Sequence, residues 1–316
     1  MRGLPRVSPK TRARILELAS DMGYVASSAA SGLATGRTRT IGVLAPYVSR
    51  WFFSRAIEGV DIELHAQNYN LMLINLGGYG TSRSRLFEHT MLRKQIDALV
   101  VLCLAMHPSE LEHLHRVEIP LVSVGPVEGF HGVSIDDYEA TQVATNYLIG
   151  LGHRRIAQLQ GVEADEMNFE VPKLRNRAFE ATMLAAGLEL RPEWELVGDF
   201  TFASGVRAAA WLFESGTERP TAIFCASDEM ALGVLAEARR RGIRVPEELS
   251  ILGIDDHEFS AAAGLSTIWQ DPVAQGQSAA SMLLKRLDGD EAAIRTVTAP
   301  YTLLQRETTA SPRRSR

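Results

Sequence analysis

From residue 40 to residue 254 the chain alternates between two textures. Short, almost unbroken apolar runs over 40–45, 71–75, 98–102 and 120–124 are separated by longer stretches in which apolar side chains return every three or four positions. The first texture predicts strands buried on both faces. The second predicts amphipathic helices, here near 52–67, 82–94 and 108–116. A second series follows, with strands over 132–135, 155–160, 196–198, 222–225 and 249–254 and helices near 138–150, 172–187, 204–215 and 229–241. Such alternation predicts an α/β fold with parallel sheets covered on both faces. Roughly ten strands are too many for one comfortable open sheet, so two lobes follow, with strand carboxyl ends facing a shared cleft.

Before residue 40 the pattern differs. Ser8 and Pro9 read as helix cap and first helical residue, and Ile15, Leu18, Ala19 and Met22 repeat at helical spacing until Gly23 stops them. This helix, near 9–22, is too short to stand alone and needs something to pack on. A small-residue run then carries one large apolar side chain, Leu33, and ends in Arg37 and Arg39.

Composition narrows the function classes. The 316 residues are 46% hydrophobic and 22% charged, which suits a soluble chain of two domains, or of one with an appendage. No run approaches 18 apolar residues, and Met1–Arg6 lacks the apolar core of a secretory signal. Cys103 and Cys225 sit in apolar runs with no disulfide framework, so a reducing cytoplasm is expected. The net charge of −5 hides an asymmetry, since residues 1–40 carry +5 and the remainder −10. A basic head on an acidic body is either a solvated terminus or a surface that meets a polyanion.

Catalytic signatures are missing. The eight histidines are scattered without metal-ligand spacing, and Gly77-Gly78-Tyr79-Gly80 lacks both dinucleotide spacing and a phosphate-loop lysine. His153 reads as a structural turn residue, and no nucleophile-elbow serine is present. No enzymatic activity, metal or cofactor is expected.

Several motifs, in order and spacing, resemble the lactose-repressor (LacI/GalR) family of bacterial transcription regulators. They include Val7-Ser8-Pro9-Lys10-Thr11-Arg12, Gly23-Tyr24-Val25, Arg37-Thr38-Arg39-Thr40-Ile41-Gly42-Val43, Phe52-Phe53 and Glu58-Gly59. Leu151-Gly152-His153-Arg154-Arg155-Ile156, Ser227-Asp228-Glu229-Met230, Leu252-Gly253-Ile254-Asp255-Asp256 and Arg306-Glu307-Thr308-Thr309 continue the match. The resemblance implies a partial all-α DNA-binding headpiece (1–26), a hinge (27–39), a two-lobed, type I periplasmic-binding-protein-like effector domain (40–310) and a basic tail (311–316). Lobe 1 is expected over 40–150 and 270–297, and lobe 2 over 151–269 and 298–310. The implied partners are operator DNA and a small effector, in a homodimer or tetramer that associates through the helices near 82–94 and 108–116.

Arg6, Lys10, Arg12, Ser27, Ala30 and Leu33 are the DNA contacts this implies. Leu33 either wedges between base pairs in the minor groove or tucks against the ligand domain. Ser27 stands where the family usually has asparagine and reaches less far. Residues 1–6 match only the end of the family's recognition helix, so this chain is expected to bind DNA weakly, through phosphates. Either the start lies upstream or sequence-specific binding has been lost.

For the effector, the resemblance points to Phe52, Phe53, Arg175, Phe200, Asp228, Asp255 and Gln270. Aromatic faces bury the apolar face of a sugar ring, and carboxylate, guanidinium and amide groups take its hydroxyls. Alternatives stand at three of these positions. Phe53 serves the core or the wall, Arg177 competes with Arg175, and Asp228 caps a helix or meets the ligand. Pro272 occupies a place where relatives carry an aromatic, with Trp269 as a substitute wall. The set suits a carbohydrate or sugar acid. An effector-controlled repressor is the first reading, a transporter's solute-binding protein the second, and a Rossmann-type sugar enzyme the third.

Overall fold

The structure, a computed structural model, describes residues 8–21, 37–77, 95–104, 106–117, 119–127, 129–162, 169–214, 216 and 218–313. Helix α1 (Pro9–Asp21) begins as its sequence dictates, with Ser8 Oγ accepting from the Thr11 amide at 3.2 Å. Lys10 and Arg12 fall on this helix, Lys10 exposed, and so is Leu18 of the expected apolar face. Arg6, Ser27, Ala30, Leu33, residues 27–36 of the hinge and the helix expected near 82–94 lie outside the described residues.

The first sheet is built from β1 (Thr40–Ala45), β2 (Asn70–Asn75), β3 (Ala98–Leu102), β4 (Leu121–Val124) and β5 (Gly132–Ser134), joined by β11 (Val297–Thr298). Its order is β11-β5-β4-β3-β1-β2 and every pairing is parallel. The second contains β6 (Ile156–Gly161), β7 (Glu195–Gly198), β8 (Ala222–Cys225), β9 (Ser250–Asp255), β10 (Ser266–Trp269) and β12 (Thr302–Leu304). Its order is β12-β10-β9-β8-β6-β7, antiparallel only at β10–β12. All five residues of β3 are buried, as a near-continuous apolar run in a covered parallel sheet should be.

Helices α2 (Trp51–Ala66) and α3 (Pro108–Val117) belong to the first series; α5 (Glu170–Ala185), α6 (Phe202–Glu214), α7 (Asp228–Arg240) and the short α8 (Ser260–Ala263) to the second. Helix α4 (Asp137–Gly150), expected in the first lobe, packs instead on α5 and on β8 and β10 of the second sheet. The chain therefore changes lobes before this helix. Its buried residues Ala140, Ala144 and Leu148 join a core containing Phe179 and Phe224, whose rings stack 6.0 Å apart.

Helix α9 (Pro272–Leu287) was not anticipated, although Asp271 caps it and Pro272 opens it. It returns the chain to the first lobe and lies against α2 with backbones in contact. A Cβ on Gly59 would sit 2.0 Å from the Val273 carbonyl, and one on Gly276 2.1 Å from that of Ala56. Only glycine permits this approach.

Residues 37–39, read from sequence as hinge, are fastened to the first lobe. One carboxylate, Asp97, accepts from the Thr38 amide (2.7 Å), the Thr38 hydroxyl (2.9 Å) and the Arg39 amide (2.8 Å). Arg37 pairs with Asp288 at 3.3 Å and donates to the Leu287 carbonyl, where the dipole of α9 favours a cation. At the other end of the chain, Ser311–Arg313, read as tail, are placed with Pro312 over Gly152. His153 holds that segment through Thr221, Ser250 and the Ala310 carbonyl, and burial keeps its pKa low, so it is a structural residue.

Candidate functional site

A cavity of about 920 Å³, open solvent included, lies between the two sheets at their strand carboxyl ends. Its floor starts with Asp255, the last residue of β9, where φ reaches +128° as the strand turns away. Asp255 Oδ1 accepts from Gln270 Nε2 at 2.7 Å, and Gln270 Oε1 accepts from Gln275 Nε2 at 3.0 Å. The relay runs from the second sheet, through the crossover, into the first turn of α9. Burial raises the Asp255 carboxyl to about 8 against the pull of Arg175, so near neutrality it both donates and accepts.

Arg175 rises from α5 with its guanidinium already engaged. Nε donates to Asp137 Oδ1 at 2.8 Å, Nη2 lies 2.6 Å from the same oxygen, and Nη1 donates to the Ala226 carbonyl. Burial pushes the Asp137 pKa up against the attraction of Arg175. A guanidinium that never deprotonates, 2.6 Å away, keeps the pair ionised.

Aromatic rings make the walls. Phe52 and Phe53 occupy the first turn of α2, edge to face with centroids 5.7 Å apart, and Phe53 stacks on Phe169 at 6.1 Å. Both also touch the first-lobe core, so wall and core are one role here, not two. Phe200, at φ +60°, faces them from the second lobe. Its ring lies so close over Gly161 that a Cβ there would come within 2.1 Å. Arg50 sits over the Tyr47 ring at 4.8 Å and reaches Asp199 of the other lobe at 4.0 Å.

Phe52, Phe53, Arg175, Phe200, Asp255 and Gln270 thus surround one cavity, whereas Arg177 is exposed. Trp269 and Pro272 do not line it. Asp228 is a correction. Fully buried, it accepts from Ser260 Oγ (2.6 Å), Thr267 Oγ1 (2.7 Å) and the His257 amide (3.0 Å), and burial lifts its pKa to about 6. The cap of α7 is Ser227, so Asp228 is neither cap nor wall; it ties the loop after β9 to β10. Sequence reasoning did not single out Tyr47, Arg50, Asp137, Phe169, Asp199 or Gln275. The Asp136-Asp137 pair after β5 was a usable signal, since one carboxylate caps α4 and leaves the other free to turn inward. Among the described residues no helix is long and apolar enough to cross a membrane, and no acidic, histidine or cysteine cluster could hold a metal.

The chain and its fold are similar to those of known proteins. Residues 145–309 match the family model of a periplasmic binding protein-like domain. The chain is 30% identical over 312 residues to catabolite control protein A of Priestia megaterium, covering 97% of this chain and 92% of that protein. It is 33% identical over 293 residues to the HTH-type transcriptional repressor PurR of Vibrio vulnificus, covering 90% and 85%. The solved complex of the transcriptional regulator CelR with cellobiose is 27% identical, with a TM-score of 0.75 over 97% of this chain and 93% of that one. The chain belongs to the LacI/GalR family of transcription regulators.

Proposed function

We propose that this regulator is a repressor whose grip on operator DNA is set by a carbohydrate held between its lobes. The cavity carries the reading: flat rings on opposite walls suit the apolar faces of a pyranose, and the Asp255–Gln270–Gln275 relay offers donors and acceptors for its hydroxyls. That the structurally similar CelR is described with cellobiose supports the same ligand class.

Helix α9 supplies the wiring. Its first turn holds Gln275 beside the cavity, and its far end, about 18 Å from Gln275 at 1.5 Å per residue, anchors Arg37 just after the DNA-proximal segment. A lobe movement that shifts α9 therefore moves the root of the linker. Lys10, Arg12 and, by resemblance, Arg6, Ser27, Ala30 and Leu33 are the proposed DNA contacts. Dimerisation is part of the reading, with exposed Ile62 on α2 and Leu73 on edge strand β2 offering apolar surface.

Calorimetric titration of neutral mono- and disaccharides into wild type and Asp255→Ala tests the effector site. The expected result is binding that weakens roughly 100-fold in the variant, as for loss of a buried polar contact. Equal affinity in both proteins contradicts it.

A further inference from the structure

Charge in the cleft decides which carbohydrates can enter, and this inference rests on the reading of the cleft as the effector site. Six ionisable side chains among the described residues carry that balance: Arg50, Asp137, Arg175, Asp199, Glu229 and Asp255. Arg175 is the fully partnered cation, whereas Arg50 has only long-range acidic neighbours and its Nη1 makes no hydrogen bond among the described residues. Arg175 is bound to Asp137, with side chains 5% and 3% exposed, and Arg50 faces Asp199 across the cleft with Glu229 nearby. Asp255, which holds its proton near neutrality, adds a fourth carboxyl without adding a charge and is bonded to the Gln270 amide.

We propose that Asp137 is a specificity-determining residue: by neutralising Arg175 it removes the cation that acts on the Asp255 end of the cleft, so the site admits uncharged polyols and rejects their acids. An arginine in a sugar site would otherwise fork onto a carboxylate. Here Nε, Nη2 and Nη1 all have protein partners, and the N–H groups that remain suit hydroxyls. A ligand carboxylate entering this cavity would lose its water and find the Arg175 charge already engaged by Asp137.

Matched pairs test it: glucose with glucuronate, galactose with galacturonate and cellobiose with cellobionate, titrated calorimetrically into wild type, Asp137→Asn and Asp199→Asn. Asp137→Asn keeps an acceptor for Arg175 Nε while freeing its charge. Asp199→Asn frees Arg50 at a half-exposed position that tolerates substitution, so the test survives a folding defect in the first variant. Wild type is expected to prefer a neutral member by about 100-fold, and each variant to narrow that preference to about tenfold or less. Acids that bind wild type as tightly as their neutral partners overturn the inference and leave the effector site standing. Preference unchanged in both variants also overturns it. Absence of Asp255-dependent binding across all the pairs overturns the effector site and this inference together.

Discussion

Replacing Asp255 by asparagine preserves the shape of the side chain and the oxygen that Gln270 uses, and removes one proton equilibrium. In the folded protein, burial lifts this carboxyl from 3.8 to about 8 while Arg175 pulls the other way. The fold thus holds the proton more tightly than the unfolded chain. The group's stabilisation is complete below about pH 4 and is lost as pH climbs towards 8. Roughly four pH units at about 1.4 kcal/mol each put the loss on the order of 5 kcal/mol. Solvent screens little of it, because the residue is 7% exposed. Asparagine has no such loss. Urea unfolding of both proteins at about pH 5 and pH 8 should show the variant gaining several kcal/mol over wild type at the higher pH. A stability difference that stays constant with pH would refute a buried, proton-holding carboxyl at the cleft floor.

Other substitutions test the supporting structure. Asp228→Ala removes the acceptor shared by Ser260, Thr267 and the His257 amide and should cost ~3 kcal/mol in thermal or urea melts; an unchanged melt contradicts its assignment as a structural tie. Gly276→Val drives a side chain into the Ala56 carbonyl and should cost ~3 kcal/mol by parting α2 from α9, again read by denaturation. Asp97→Ala strips the partner from the Thr38 and Arg39 amides, and their hydrogen exchange should quicken by about tenfold or more; undisturbed protection would show that the linker root is held by something else.

Local patterns carried most of the fold into the sequence. Apolar runs such as those of β1 and β3 announce a buried parallel sheet whatever their neighbours are, and Ser8-Pro9 marks a helix start within four residues. The Leu252-Gly253-Ile254-Asp255 motif was enough to place Asp255 at the end of a strand facing the cleft, where the structure has it. What escaped depends on partners far apart in the chain. Asp137 meets Arg175 across 38 residues and Asp97 meets Thr38 across 59, and nothing local to either aspartate names its partner. Asp228 misled for the same reason, since its three donors arrive from 29 to 39 residues away. Helix α9 was missed despite its Asp-Pro start because small and polar residues (Ala274, Gly276, Gln277, Ser278) dilute its apolar stripe. Gly276 is what allows α9 to touch α2.

The central claim is that filling the cleft changes the hold on DNA. Fluorescence anisotropy of labelled operator-length DNA, titrated at low salt with and without a saturating carbohydrate from the panel, measures it directly. Linkage predicts a shift in DNA affinity of at least about fivefold, matched by an equal shift in carbohydrate affinity when DNA is bound. Superimposable DNA-binding curves, with the carbohydrate demonstrably in place, would contradict it.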